Sequence, residues 1–192
     1  AGVFLNYNKR VVSANIKQFT KQEVDSTLIK LVKLAKLLPP KEDYFGLAKG
    51  FSQYKKVDGL FDKKLVNFNK GTDFVQAAIN AGLSAGAKRV TGVFDTTYDE
   101  SYVVSSNGLN MTDKGSGISI SVRALASKEA SGHKMIQANV LQGFNADKPG
   151  SEAGNIAKKG LNPQHIKPGK YNILFSPLPL ADLLGCVAGA CS

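Results

Sequence analysis

Apolar residues at helical spacing follow residue 20 and predict the clearest helix of the chain. Thr20 and Glu23 have the spacing of a capping box. Apolar residues then recur every three or four positions: Val24, Leu28, Leu31, Val32, Ala35 and Leu38. Pro39 and Pro40 end this helix. Before it, Val3–Tyr7 and Arg10–Ile16 are short β-type runs on either side of a turn.

A second helix is predicted at about 73–87, with Thr72 as its cap and an inner face of small and aromatic residues: Phe74, Ala77, Ala78, Ala81 and Ala85. The small residues favour close packing against a sheet. From Arg89 the pattern changes to antiparallel β. The runs 89–97 and 101–106 are predicted to flank a turn at Tyr98–Glu100, and Asn107-Gly108 is a strong tight-turn signal.

Strict alternation then predicts a half-buried strand, with its apolar positions at Ile118, Ile120, Val122, Ala124 and Ala126. Another strand is expected within His133–Phe144, after a turn at Ser131-Gly132. A helix from Ser151 to about Leu161, a strand at Lys170–Phe175 and a final helix opened by Ser176-Pro177 complete the chain. The order predicts an α+β fold, an antiparallel sheet packed with helices, with Val93, Val103, Ile120 and Val122 buried.

Residues 39–71 show no clean hydrophobic period and contain prolines, glycines and scattered aromatic residues. We interpret this stretch as a connector between two structural units. Residues 1–38 are then expected to be the end of a truncated N-terminal α/β domain, and residues 72–192 a central α+β domain.

Composition supports a globular protein: 43% of the 192 residues are hydrophobic and 21% are charged. The net charge of +10 is uneven, because residues 1–70 hold 14 Lys and Arg against 6 Asp and Glu. Nucleic acid or an acidic partner is one explanation. We favour a solvated lysine surface, since aromatic residues are not interleaved with the charges and no nucleic-acid-binding motif occurs. No apolar run is long enough to cross a bilayer.

Catalytic motifs are absent from the sequence. His133 and His165 lie in separate segments, and the spacing of Cys186 and Cys191 on a helix suits neither a disulfide nor a shared metal ion. Gly82–Gly86 fits a Gly-x-Ser-x-Gly pattern, but a helix precedes the serine where a nucleophile elbow needs a strand. The carboxylates Asp95, Asp99 and Glu100 are read as a charged turn. These observations indicate a binding or assembly module with no cofactor.

Four stretches resemble the TldD/PmbA family in order and spacing: Tyr54–Asp62, Val103–Leu109, Gly117–Ala126 and Pro168–Pro177. The resemblance implies a cytoplasmic protein of a two-subunit system that degrades peptides. In the TldD-like branch, the helix after the last stretch carries a zinc-binding His-Glu-x-x-x-His motif. Alignment on Leu183-Leu184 places Gly185 and Ala190 at the histidines and Cys186 at the glutamate. The resemblance is therefore to the metal-free PmbA-like (TldE-like) branch, without catalytic or metal-binding residues.

Three hypotheses follow. The favoured one is a PmbA-like subunit or fragment that assembles with a TldD-like zinc peptidase subunit, or with a second copy, and helps to bind unfolded peptide. The second is a basic nucleic-acid-associated protein, in keeping with the family's link to DNA gyrase modulation. The third is that the complete protein is itself a metallopeptidase. The final helix is apolar nearly all round, so we expect Leu183, Leu184 and Val187 to lie in an interface with a second copy or with the remainder of the protein.

Overall fold

The computed structural model describes residues 1–47, 55 and 57–191. These residues belong to two compact units, one formed by residues 1–54 with Val103–Met111 and the other by residues 55–102 with 112–192. The secondary structure is mixed and the sheets are antiparallel, which confirms the α+β class. The aromatic positions Phe51 and Tyr54 of the predicted connector lie outside the described residues.

The first unit contains a β-hairpin and one helix. Strands β1 (Gly2–Tyr7) and β2 (Arg10–Asn15) pair antiparallel through a turn in which Asn8 and Lys9 have positive φ angles. Helix α1 (Lys21–Leu37) packs on the hairpin through Leu31 and Ala35, which join Val12 in a small core. The hydroxyl of Thr20 accepts a hydrogen bond of 3.2 Å from the Glu23 N–H, so the predicted cap is confirmed.

The second unit packs helices on one face of a three-stranded sheet. The elements after a 3-10 turn (Lys63–Leu65) are α2 (Gly71–Ser84), β3 (Arg89–Val104), β4 (Asn110–Leu125), β5 (Ser131–Ala138), α3 (Asp147–Lys159) and α4 (Pro177–Ala190). They belong to the second unit except for the ends of β3 and β4 within Val103–Met111. The strand order is β3-β4-β5, and β4 pairs with β5 so that Ile120 faces Ile136. The predicted turn at Asn107-Gly108 joins β3 to β4, with Gly108 at a φ of 91°.

The core lies between β4 and the two helices α2 and α3. The predicted alternation of β4 is confirmed, because its inward residues are buried: Ile118, Ile120, Val122 and Ala124, followed by Ala126 after the strand end. Glycines bring α3 close to its neighbours. A Cβ on Gly154 would lie 2.6 Å from the Gly82 carbonyl oxygen, and one on Gly150 would collide with the Ala78 carbonyl. Since 78 meets 150 and 82 meets 154, α2 and α3 run in the same direction.

The turn predicted at Tyr98–Glu100 is wrong, because β3 continues through it without interruption from Arg89 to Val104. Tyr98 and Glu100 are two residues apart on this strand and therefore lie on the same face. The Tyr98 hydroxyl donates a hydrogen bond of 3.0 Å to Glu100. The Glu100 carboxylate also pairs with Lys114 of β4 at 2.8 Å. Charged residues that would mark a turn therefore stabilise a hairpin through contacts within and across its strands.

Two predicted burials on β3 are also wrong. Val93 is 68% exposed and Val103 is 53% exposed. In the first half of β3 the helices cover the face that carries Val90 and Phe94, and successive residues of a strand point to opposite faces, so Val93 points away from this core.

Several boundaries differ from the sequence expectation. Helix α2 starts at Gly71 with no side-chain cap, so Thr72 lies inside it. Ser131 and Gly132 belong to β5 rather than to a turn, and α3 begins at Asp147, with Pro149 and Gly150 inside its first turns. No strand forms at Lys170–Phe175, where the described chain offers no pairing partner. Gly82–Gly86 is the end of α2 and the residues after it, as predicted.

None of the described helices combines the length and the apolar character that a membrane span requires.

Candidate functional site

Helix α4 and the segment before it expose apolar side chains that a folded protein usually buries. Ser176 precedes the helix in an extended conformation, and Pro177 occupies its first turn, where a missing N–H is tolerated. No residue of α4 is buried. The predicted interface residues Leu183, Leu184 and Val187 are 48%, 59% and 61% exposed. Ile173 and Leu174 just before the helix are exposed to a similar or greater degree. This apolar surface is a candidate interaction site.

Glu100 is the carboxylate with the largest shift in acidity. The ammonium of Lys114 and then the hydroxyls of Tyr102 and Tyr98 hold its pKa at about 2, well below the usual range. The same contacts raise the pKa of both tyrosines and of Lys114. A carboxylate with so low a pKa is a poor general base near neutral pH. The cluster therefore supports the hairpin rather than proton transfer.

Ser121 and His133 form a pair on the uncovered face of the sheet. The Ser121 hydroxyl and His133 Nε2 are 2.9 Å apart on neighbouring strands. Within the described part of the chain, no carboxylate contacts the other ring nitrogen to orient the imidazole. An activated serine requires such a third group as well as a base. This pair is a hydrogen bond of the sheet surface, and it does not form a catalytic triad.

Asp62 connects three parts of the second unit. Its Oδ1 accepts from the Lys64 N–H at 2.9 Å, and its Oδ2 accepts from the Leu141 N–H at 3.0 Å. Its own N–H donates to the Ser116 hydroxyl at 2.8 Å, and that buried hydroxyl donates to the Asn139 carbonyl. The two N–H donors, of Leu141 and then Lys64, lower the pKa of the Asp62 carboxyl. The contacts position the segment before α2.

An apolar groove lies along the outer edge of β3, and we refer to it as the β3-edge groove. Its volume is about 250 Å³, and it is bounded by Val75, Ala78 and Ile79 of α2, residues 90–94 of β3 and residues 120–122 of β4. Gly92 lies against the Ser121 carbonyl, and a Cβ at this position would collide with the backbone of β4. Among the described strands, β3 pairs only with β4, so this edge is open.

The region that contains Asp62, Glu100, Ser121 and the β3-edge groove matches a known family; helix α4 lies beyond the matched residues. Residues 61–161 match the model of the PmbA/TldA metallopeptidase central domain. This match begins beside Asp62 and covers more than half of the chain. The chain belongs to the PmbA/TldD family. No curated protein sequence matches it significantly.

Solved structures support the same fold for this PmbA/TldD family member. The chain superposes with a TM-score of 0.79 and 19% identity on a proposed modulator of DNA gyrase from Bacteroides thetaiotaomicron, covering 98% of this chain and 46% of that one. A similar protein from Thermotoga maritima gives a TM-score of 0.72 and 12% identity, with coverages of 88% and 39%. TldE from Thermococcus kodakarensis gives 0.68 and 15%, with coverages of 81% and 36%. The chain thus spans less than half of each neighbour.

The family description includes a metallopeptidase, but the residues of α4 do not fit a zinc site. Zinc in proteins takes three or four ligands, usually histidine, cysteine or carboxylate. The positions aligned with the metal motif hold Gly185, Cys186 and Ala190, and only the exposed Cys186 could be a ligand. Throughout the described ranges, no group of three or more His, Cys, Asp or Glu residues could hold a metal ion. We derive no metal chemistry for this chain.

Sequence reasoning identified α4 but missed the contacts of Glu100 and Asp62 and the β3-edge groove. The alternation of Tyr98, Glu100 and Tyr102 at a period of two was a signal for a continuous strand. The bonds from Asp62 to Leu141 and from Asp62 to Ser116 join residues far apart in sequence, and no local pattern indicates them.

Proposed function

We propose that this chain acts as part of a PmbA-like subunit that lacks the zinc motif and serves in assembly or peptide binding within a TldD/PmbA-type metallopeptidase system. Membership of the family supports the system. The chemistry of α4 supports the metal-free branch, because the aligned positions offer one thiol in place of two histidines and a glutamate. TldE, one of the structural neighbours, has the name of that branch.

The exposure of α4 is the single observation that favours an assembly role. Leu183, Leu184 and Val187 form a stripe at helical spacing with no contact that buries them in this chain. We propose that a TldD-like zinc peptidase subunit, a second copy of the chain or the remainder of the protein covers this stripe. The proposed location of the system is the cytoplasm, and its substrate is an unfolded peptide.

A metal and activity measurement tests this role. The full-length protein that contains this chain is purified alone, and metal content and peptidase activity are measured with and without a TldD-like subunit from the same organism. We expect no stoichiometric zinc in the purified protein, and peptide cleavage only when the zinc-bearing subunit is added. Stoichiometric zinc that disappears in a Cys186→Ser variant would contradict the proposal. Activity of the protein alone would favour a metallopeptidase.

The basic charge of residues 1–70 supports nucleic-acid binding as a second candidate. Phosphate contacts release counterions, so binding to DNA would weaken steeply with added salt. Assembly through the apolar α4 stripe would change much less over the same salt range. A titration of both binding reactions between low and physiological salt separates the two functions.

A further inference from the structure

We infer that Asn107 is a site of spontaneous modification, where the side-chain amide is converted to a carboxylate by attack of the chain's own backbone followed by hydrolysis. Asn107 and Gly108 lie at the tip of the hairpin formed by β3 and β4, and both are exposed. The inference goes beyond the proposed function and does not rest on it. Two observations lead to it: the residue that follows Asn107, and the hydrogen bonds that close the tip.

Asn107 is the only asparagine of the chain that glycine follows. The attacking atom in this reaction is the backbone nitrogen of the next residue, and a side chain on that residue hinders its approach to the asparagine Cγ. Gly108 has no Cβ, so this hindrance is absent. Every other asparagine of the sequence precedes a residue with a side chain. Asn107 is therefore the most reactive amide of its kind in the chain.

The reaction uses water as its one co-reactant. The Gly108 nitrogen loses its proton and forms a bond to the Asn107 Cγ, the bond from Cγ to Nδ2 breaks, and ammonia leaves with that proton. Water then opens the cyclic imide at one of its two carbonyls. Opening at Cγ gives aspartate, whereas opening at the main-chain carbonyl gives isoaspartate, in which the backbone runs through the side chain. No group is oxidised or reduced.

The hydrogen bonds of the tip oppose this attack. The Gly108 N–H donates to the Ser105 carbonyl at 3.1 Å, and the Asn107 N–H donates to the Ser105 hydroxyl at 3.3 Å. The Ser105 N–H donates to the Leu109 carbonyl at 2.9 Å. The attacking nitrogen is thus engaged in a closed turn, in which Gly108 has a φ of 91°. Because the tip must open before the reaction, local opening of the hairpin controls the rate.

The modification changes charge and backbone geometry together. Val103–Met111 contains no charged residue and belongs to the first compact unit. The new carboxylate lowers the chain's net charge of +10 by one. Aspartate is compatible with the turn. Isoaspartate lengthens the backbone by one carbon, so the Gly108 N–H no longer closes the same ring onto Ser105. The tip is therefore a one-way switch of charge and local order.

Ageing of the full-length protein that contains this chain tests the site. The folded protein is incubated in mildly alkaline buffer at physiological temperature, sampled over days and digested at acidic pH for peptide mass spectrometry. We expect a gain of about 1 Da at Asn107, in two products that chromatography separates as aspartate and isoaspartate. Asn110 is the internal control, because it is also exposed but precedes Met111. It should react about tenfold more slowly. No gain at Asn107, or an equal gain at Asn110, would overturn the inference.

The control by the tip is tested with variants and with the unfolded chain. The same protein in guanidinium chloride should react faster than the folded protein. Ser105→Ala removes the hydroxyl that accepts from Asn107 and should raise the folded-state rate about threefold. Ser106→Ala is the matched control, because the neighbouring hydroxyl takes no part in these bonds. Asn107→Gln would need a larger ring and should gain no mass.

Equal rates in the folded and the unfolded protein would show that the tip does not control the reaction. A Ser105→Ala rate equal to that of Ser106→Ala would show the same. A mass gain that persists at this position in Asn107→Gln would mean that the amide is hydrolysed without attack by the Gly108 nitrogen, which contradicts the mechanism.

Discussion

At the scale of single residues, Asp62 and Gly154 show how much of the second unit depends on contacts that no local pattern announces. Asp62 uses both carboxylate oxygens and its own N–H to connect the segment before α2 with β4 and with the chain after β5. Gly154 lets the backbone of α3 approach that of α2. Both residues act mainly through contacts with residues distant in sequence, so no local sequence pattern distinguishes them from other aspartates and glycines.

The Asp62 contacts should make stability depend on pH. The folded state lowers the pKa of Asp62 below the value of 3.8 expected without these contacts. Its contribution is therefore present above about pH 4 and is lost as the pH falls through the folded pKa. We expect Asp62→Asn to lower the thermal midpoint at pH 7, and the difference from the original protein to shrink below pH 4. Asp58→Asn, at a neighbouring exposed position, is the control. A difference in thermal midpoint that stays constant down to pH 2 would show that the charge of Asp62 does not contribute to stability.

Gly154→Ala should destabilise the protein by about 1–3 kcal/mol, because the added methyl group would overpack the contact with Gly82. Gly185→Ala is the matched control. A Cβ at Gly185 meets nothing within 4 Å, so the alanine should stabilise α4 locally through its higher helix propensity. Chemical denaturation of both variants measures the difference. Equal stabilities would show that α2 and α3 separate easily.

At the scale of elements, the sequence predicted most helices and strands. The predictions failed where contacts between residues far apart in sequence determine the local structure. The alternation of Ile118 to Ala126 correctly predicted the inward face of β4. The acidic stretch 98–100 was misread as a turn, because Lys114 on β4 stabilises Glu100 from across the hairpin. Pro149 and Gly150 suggested a helix boundary, but a proline is tolerated in a first turn and Gly150 is needed for contact with Ala78.

Two valine substitutions test which faces of the sheet are buried. Val122 is 2% exposed in the core, so Val122→Asp would place a charge without a partner among apolar side chains. We expect a loss of about 4 kcal/mol or more, enough to unfold the domain. Val103→Asp adds the same charge at an exposed position and should change stability little. Circular dichroism and heat denaturation compare them. A folded Val122→Asp protein would refute the core assignment.

At the scale of the whole molecule, the sequence predicted the apolar character of α4, but no contact in the described part of this chain explains how its apolar residues are covered. Its apolar character was evident, and its exposure follows from the absence of any described element that packs on it. The interface role of Leu183, Leu184 and Val187 stays a prediction, as do the domain limits at 38 and 71. Sequence alone cannot identify a partner, because an apolar stripe has the same pattern whatever covers it.

Leu184→Arg should abolish or strongly weaken the proposed association, since it places a charge in the middle of the stripe, and it should leave α1 folded. Asp182→Arg is the control, because this residue lies on nearly the opposite side of the same helix. Sedimentation measures the association, and circular dichroism reports the helices. A stable monomer of the unsubstituted chain at micromolar concentration, with α4 ordered, would refute the interface.

The common direction of α2 and α3 has an electrostatic consequence. Two aligned helices bring their positive N-terminal ends side by side, and these ends repel each other when the helices are as close as Gly154 and Gly82 require. Each helix carries an aspartate in its first turn, Asp73 in α2 and Asp147 in α3. The two carboxylates offset the paired helix dipoles at the same end of the unit. Replacing both with asparagine should therefore cost about 0.5–2 kcal/mol at low ionic strength, and added salt should reduce this loss.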